Sequence, residues 1–132
     1  MIYRIPILDS LEDYYFEDNL ISVNNTTNYI NKLNTNFTST WLTKCLINWY
    51  AEVAQANAGQ RTDVRIIDNL TNNIITETSI DFNISNQYKP ISGFKQLQFT
   101  DGIINLSMQF KTTSANRMAY IKNTRLYFKR SI

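Results

Sequence analysis

The sequence predicts an all-β fold, an antiparallel β-sandwich, from three observations. Runs with apolar residues at every second position recur along the chain, turn formers separate them, and no glycine-rich strand-to-helix junction interrupts them. The 132 residues suffice for one sizeable core and not for an enzyme with a separate substrate domain. With 43% hydrophobic and 18% charged residues the chain is too apolar for intrinsic disorder, and its polarity comes from Asn and Thr.

Residues 3–8 read as an edge strand, because Pro6 has no N–H to give a central ladder. Residues 9–19 are acidic and aromatic, with Tyr14, Tyr15 and Phe16, and suit a helical turn or a loop laid on the core equally well. Residues 24–40 read as a loop with one short strand, since Asn and Thr side chains compete for the backbone. From Trp41 the period is clear: Cys45, Ile47, Trp49, Ala51 and Val53 share one face of a long strand, and Lys44, Asn48, Tyr50 and Glu52 the other. A helix over residues 50–58, with its four alanines, is the competing reading. Residues 63–68 alternate again, Val64 and Ile66 inward, and the turn formers at 68–73 lead into a hairpin partner at 74–82. A loop at 87–93 precedes a short strand at 94–99. Asp101-Gly102 between two extended runs is a hairpin signal. Residues 104–111 alternate cleanly, 112–116 form a polar linker, and 118–130 make a last strand, bulged because its apolar parity changes between Ile121 and Leu126.

Several chemistries find little support. Histidine is absent, which removes the commonest neutral-pH base and a common metal ligand. The single Cys45 forms no intrachain disulfide and falls on the apolar parity, as a buried inert thiol would. Glu52, Asp63 and Glu77 lie on strands that are candidates for neighbours, but their outward parity beside Lys44 and Arg65 fits cross-strand charge pairs better than a glycosidase pair. The acidic cluster Asp9, Glu12, Asp13, Glu17 and Asp18 lacks a twelve-residue calcium loop and reads as a solvated face; Asp68-Asn69 with Asp81 is a generic alternative. No catalytic residue, metal or cofactor is expected. The N-terminus lacks a signal-peptide pattern, and no apolar run is long enough for a membrane helix.

Charge is better distributed than it is large. Thirteen Lys and Arg face eleven Asp and Glu, a net charge of +2 that gives no reason to expect nucleic acid. Yet the first twenty residues are acidic, while Lys122, Arg125, Lys129 and Arg130 near the end meet no acid after residue 110. These two groups are candidates for pairing within the fold or for docking across a subunit boundary. A basic last strand interleaved with Tyr120, Tyr127 and Phe128 is a weaker candidate for a nucleic-acid backbone. Aromatics make up 13% of the chain, and outward Tyr50, Tyr88, Tyr120 and Tyr127 are candidates for an interface or for stacking on sugar rings.

The run from Trp41 onward includes Asn48-Trp49-Tyr50-Ala51-Glu52, Gln60-Arg61-Thr62-Asp63-Val64-Arg65-Ile66, Ser92-Gly93-Phe94, Met108-Gln109-Phe110-Lys111 and Ala119-Tyr120-Ile121-Lys122-Asn123-Thr124-Arg125-Leu126. It resembles the small jelly-roll modules of tailed-phage virion proteins: head fibres, decoration proteins and tail or baseplate appendages. The resemblance covers about two thirds of the chain. It implies a jelly-roll-like sandwich over residues 41–132, with residues 1–40 as an N-terminal edge strand and a docking or loop segment packed on it. It further implies a non-enzymatic virion protein, assembled in the host cytoplasm as a trimer or dimer and docked to other virion proteins. In the matching region it gives Gly93 a tight approach before the next strand. The alternative is a module for host surface glycan, with a shallow aromatic-and-amide groove at one loop end.

Overall fold

The computed structural model describes residues 2–7, 11–38, 44–99 and 102–130, with side chains described for 13–38, 44–99 and 102–129. The described residues form β1 (Ile2–Ile7), β2 (Leu11–Asp18), β3 (Ser22–Asn24), β4 (Ile30–Thr38), β5 (Lys44–Gln55), β6 (Arg61–Asp68), β7 (Ile74–Asp81), β8 (Lys89–Gln98), β9 (Ile103–Thr112) and β10 (Ala119–Arg130). The innermost pair is the β6–β7 hairpin. Around it close β5 on β8, β4 on β9 and β2 on β10, all antiparallel. This one long folded hairpin is rolled over so that β10 also pairs β5 and β9 also pairs β6, which makes a jelly roll. A sheet ordered β1-β2-β10-β5-β8, with β3 beside β10, packs on a sheet ordered β4-β9-β6-β7.

Period-two patterning places the core. Cys45, Ile47, Ala51 and Val53 from β5 meet Ile104, Leu106, Met108 and Phe110 from β9, all fully buried. One end of the core is aromatic: Phe37 of β4 lies 4.2 Å from Tyr14 and 5.3 Å from Phe16 of β2, and meets Phe128 of β10 edge-on at 5.4 Å. These rings tie both early strands to the last one.

Both open rims of the sandwich are laced by lysines. Lys32 sits at a register break in β4, and its buried ammonium donates to Leu20 O at 2.5 Å and Ser22 Oγ at 2.8 Å and pairs with Asp18 at 3.1 Å. At the opposite rim Lys89 and Lys95 of β8 donate to Asp81 O and Ile75 O of β7, at 2.7 and 3.3 Å. Carbonyls of one edge strand are thus taken up by cations from the other sheet, which leaves fewer of them to template a foreign strand.

Four expectations are corrected. Residues 11–18 are a strand, since Tyr14 and Phe16 turn inward while Tyr15 and Glu17 turn outward at period two. Residues 30–38 form a nine-residue strand where a loop with one short strand was expected, because the Asn31 and Asn34 amides on its wet face accept bonds from Gln109 and Ser107 of β9. The loop at 87–93 is shortened: Lys89–Gly93 already belong to β8, where Pro90 is tolerated on an edge. The hairpin expected at Asp101-Gly102 does not form, for β8 and β9 lie in different sheets; Asp101 lies outside the described residues, and Gly102, at φ 64°, sits in the crossing between them. The long strand continues to Gln55 in place of a helix, and the bulge in β10 falls between Lys122 and Arg125 with Asn123 at φ 50°. Residues 41–43 and 8–10 lie outside the described residues.

Candidate functional site

The outer face of the six-stranded sheet gathers most of the candidate residues. Strand register aligns them in rows: Tyr15, Tyr127, Asn48 and Phe94 in one, and Glu17, Arg125, Tyr50 and Ser92 in the next. Between these rows lies a depression of about 230 Å3 lined by Tyr15, Asn48, Trp49, Tyr50, Arg125 and Tyr127. The Tyr15 and Tyr127 rings meet edge-on at 6.2 Å, and the Arg125 guanidinium stacks 4.3 Å above the Tyr50 ring.

Each tyrosine of the depression directs its hydroxyl at a carboxylate. Tyr15 donates to Glu17 at 2.9 Å, Tyr50 to Glu52 at 2.6 Å, and Tyr127 to Asp13. Hydrogen bonding to Glu52 raises Tyr50 and the same bond lowers Glu52, which also accepts from Asn123 at 3.0 Å. Burial, then the Asp13 carboxylate, pushes Tyr127 up to about 12. Rings rather than hydroxyls are therefore what the depression offers.

Tyr88 and Tyr120 stand on the same face nearer the loop end, where the Lys122 ammonium lies 4.0 Å over the Tyr88 ring. That loop end is closed by backbone bonds among its connections, Ala56 N to Met118 O at 2.8 Å, Asn86 N to Gln55 O at 2.8 Å and Asn116 N to Asn25 O at 3.0 Å. The expected aromatic groove at a loop end thus gives way to a depression on the sheet face.

The opposed charges of the two chain ends meet within the fold. β2 pairs β10 with Glu17 opposite Arg125 and Asp13 opposite Lys129, while Asp18 is taken by Lys32. Backbone register alone sets Glu12 opposite Pro6 and Arg130 opposite Cys45; Asp9 lies outside the described residues. The basic strand expected as a nucleic-acid candidate is central, between β2 and β5, and its Phe128 is buried.

The other chemistries separate in space. Glu52 lies on one sheet, and Asp63 and Glu77 on the other, pointing out from the opposite face. Asp63 is 3.9 Å from Lys111, and Glu77 stands opposite Arg65, an ordinary cross-strand arrangement. Asp68 and Asp81 occupy opposite ends of the β6–β7 pair. Among the described residues no three His, Cys, Asp or Glu side chains converge on a metal position. Cys45 is fully buried, and burial pushes its thiol up to about 12. No helix among the described residues is long and apolar enough to cross a membrane. A larger cavity, of about 550 Å3, opens beside Asp18, Leu20 and Lys32, but that ammonium already has three acceptors.

Sequence reasoning placed Asn48 on the wet face of β5 beside Tyr50 but missed Tyr15 and Phe94 as members of this face, and Lys32 as a rim tie. The alternation Asp13, Tyr15, Glu17 outward against Tyr14 and Phe16 inward is the signal that finds Tyr15. Lys32 leaves no such signal, because a bulge breaks the period there.

The fold has relatives among solved structures. The chain is similar to the VP2 subviral particle of infectious bursal disease virus, with a TM-score of 0.65 and 11% identity over 96% of this chain and 38% of that one. The Gx strain of that virus gives a TM-score of 0.63 and 8% identity over 92% of this chain and 33% of that one. Dimeric latent PorU from Porphyromonas gingivalis matches with a TM-score of 0.53 and 8% identity, over 89% of this chain and 13% of that one. The chain therefore spans well under half the length of each of these structures, and the likeness is one of fold. No protein-family model matches the sequence. No curated protein matches it either.

Proposed function

We propose that this chain is a non-catalytic structural protein of a virus particle, acting by self-association and by docking to other particle proteins. The observation that carries the reading is the rolled four-pair hairpin, shared over 92–96% of this chain with the particle protein of a virus. The finer reading, a head-fibre, decoration or tail accessory protein of a tailed phage, is supported by the resemblance of the run from Trp41 onward. Docking falls to the outer face of the six-stranded sheet, through Tyr50, Tyr88, Tyr120 and Tyr127 with Glu17, Lys122, Arg125 and Lys129, Asp13 being buried against Tyr127. Light scattering over a dilution series tests the reading: a mass above the 15.4 kDa monomer supports it, and a monomer at every concentration overturns self-association. Immunogold labelling of intact particles then distinguishes head from tail.

A second reading is favoured by one feature, the aromatic depression with Asn48 and Arg125 on its walls. Such a surface suits a sugar ring, and titration of the labelled protein with oligosaccharides, followed by amide shifts around Tyr15 and Tyr127, tests it.

A further inference from the structure

We propose that the outer face of the six-stranded sheet pairs with the same face of a second copy, each copy's Phe94 entering the other's aromatic depression. This rests on the self-association reading and names the surface that carries it. Phe94 is the one exposed aromatic among the described residues, with 73% of its surface open although it lies within β8. It points outward opposite Asn48, two strands from β10, at the rim of the depression lined by Tyr15, Tyr50, Arg125 and Tyr127. An apolar ring standing in water beside a hollow walled by aromatic rings is a knob and a hole on one surface.

Two further features point to a second copy as occupant. Because knob and hole share one face, a two-fold arrangement satisfies both at once and closes at two chains. The face also carries charges of both signs: Glu17 on β2 and Glu52 on β5 flank Lys122, Arg125 and Lys129 on β10, while Asp13 is buried against Tyr127 and Lys44 stands exposed at the start of β5. In a two-fold pair Glu17 and Glu52 of one copy have the basic residues of the other to approach.

The test uses two variants of the full chain, each checked for native circular dichroism. Phe94→Asp removes the knob and leaves the hole; Asn48→Trp fills the hole and leaves the knob. Sedimentation of each alone is expected to show pairing weakened by roughly tenfold or more, the effect of losing a central anchor. Mixing the two restores one knob-and-hole contact, so a mixed pair is expected that neither forms alone. A wild-type oligomer whose mass neither variant alters overturns this pairing and leaves self-association standing. A wild-type monomer overturns both. Oligosaccharide binding at Tyr15 and Tyr127 by a strictly monomeric chain assigns the depression to sugar and likewise overturns the pairing.

Discussion

Gly93 is kept a glycine by its neighbour across the strand. It lies opposite Trp49 in the β5–β8 register, and a Cβ built there would stand 2.5 Å from Cζ2 and 2.7 Å from Cε2 of the indole. The approach expected for this residue is real, but it occurs inside a strand and against a ring. Trp49 packs on the core as one of its partly buried members, so its ring has little room to yield. Gly93→Ala is therefore expected to destabilise the protein by about 1–3 kcal/mol, the cost of overpacking a close contact. Urea unfolding followed by tryptophan fluorescence measures this, and an unchanged midpoint refutes it. At the same scale Lys32 shows why a charge can sit at a buried position: three acceptors take its three protons.

Strand pairing converts such local choices into a pH dependence and an edge. Tyr127 of β10 donates to Asp13 of β2, and its pKa rises from 10.0 to about 12. Because the folded value lies above the unfolded one, this contribution is complete below pH 10 and is lost as the pH climbs toward 12. Alkaline unfolding should thus be less steep across that window in Tyr127→Phe than in the wild type, as thermal melts over a pH series would read. The other edge prediction concerns β7, whose carbonyls at Ile75 and Asp81 accept from Lys95 and Lys89. Replacing both lysines by Ser should expose that edge and speed aggregation on heating, measured by turbidity, with little change in far-ultraviolet dichroism. The period-two signal made β5, β6, β9 and the bulge of β10 legible. It failed for β4, where a wet face of Asn and Thr looks like loop until β9 lies beside it. There Ser107 donates to Asn34 at 2.6 Å and Gln109 to Asn31 at 2.7 Å, so bonds that a loop would make to itself are made across the sheet.

Over the whole molecule, the period tells which face a residue takes and not which strand it will meet. Asp101-Gly102 looked like a hairpin because both flanks are extended, yet the flanks belong to different sheets. The depression shared this fate: Tyr50 and Tyr127 were visible as outward aromatics, but their meeting with Tyr15 depends on β10 lying between β2 and β5. The outermost pair of the rolled hairpin joins residues separated by most of the chain, as when Thr124 Oγ1 donates to Asp18 O at 2.8 Å across 106 positions. Such non-local pairing slows folding. It also makes the early strands part of the sandwich's own closure. Without residues 1–40, β10 loses β2 and β3, β9 loses β4, and Phe128 loses the rings of Phe16 and Phe37 that cover it. Two interior strands would then become bare edges beside an opened core. The fragment 41–132 is accordingly expected not to fold alone, and adding a peptide of residues 1–40 is expected to restore structure. Amide spectra of the fragment with and without the peptide decide this: dispersed signals from the fragment by itself would show that the last six strands form a sufficient core.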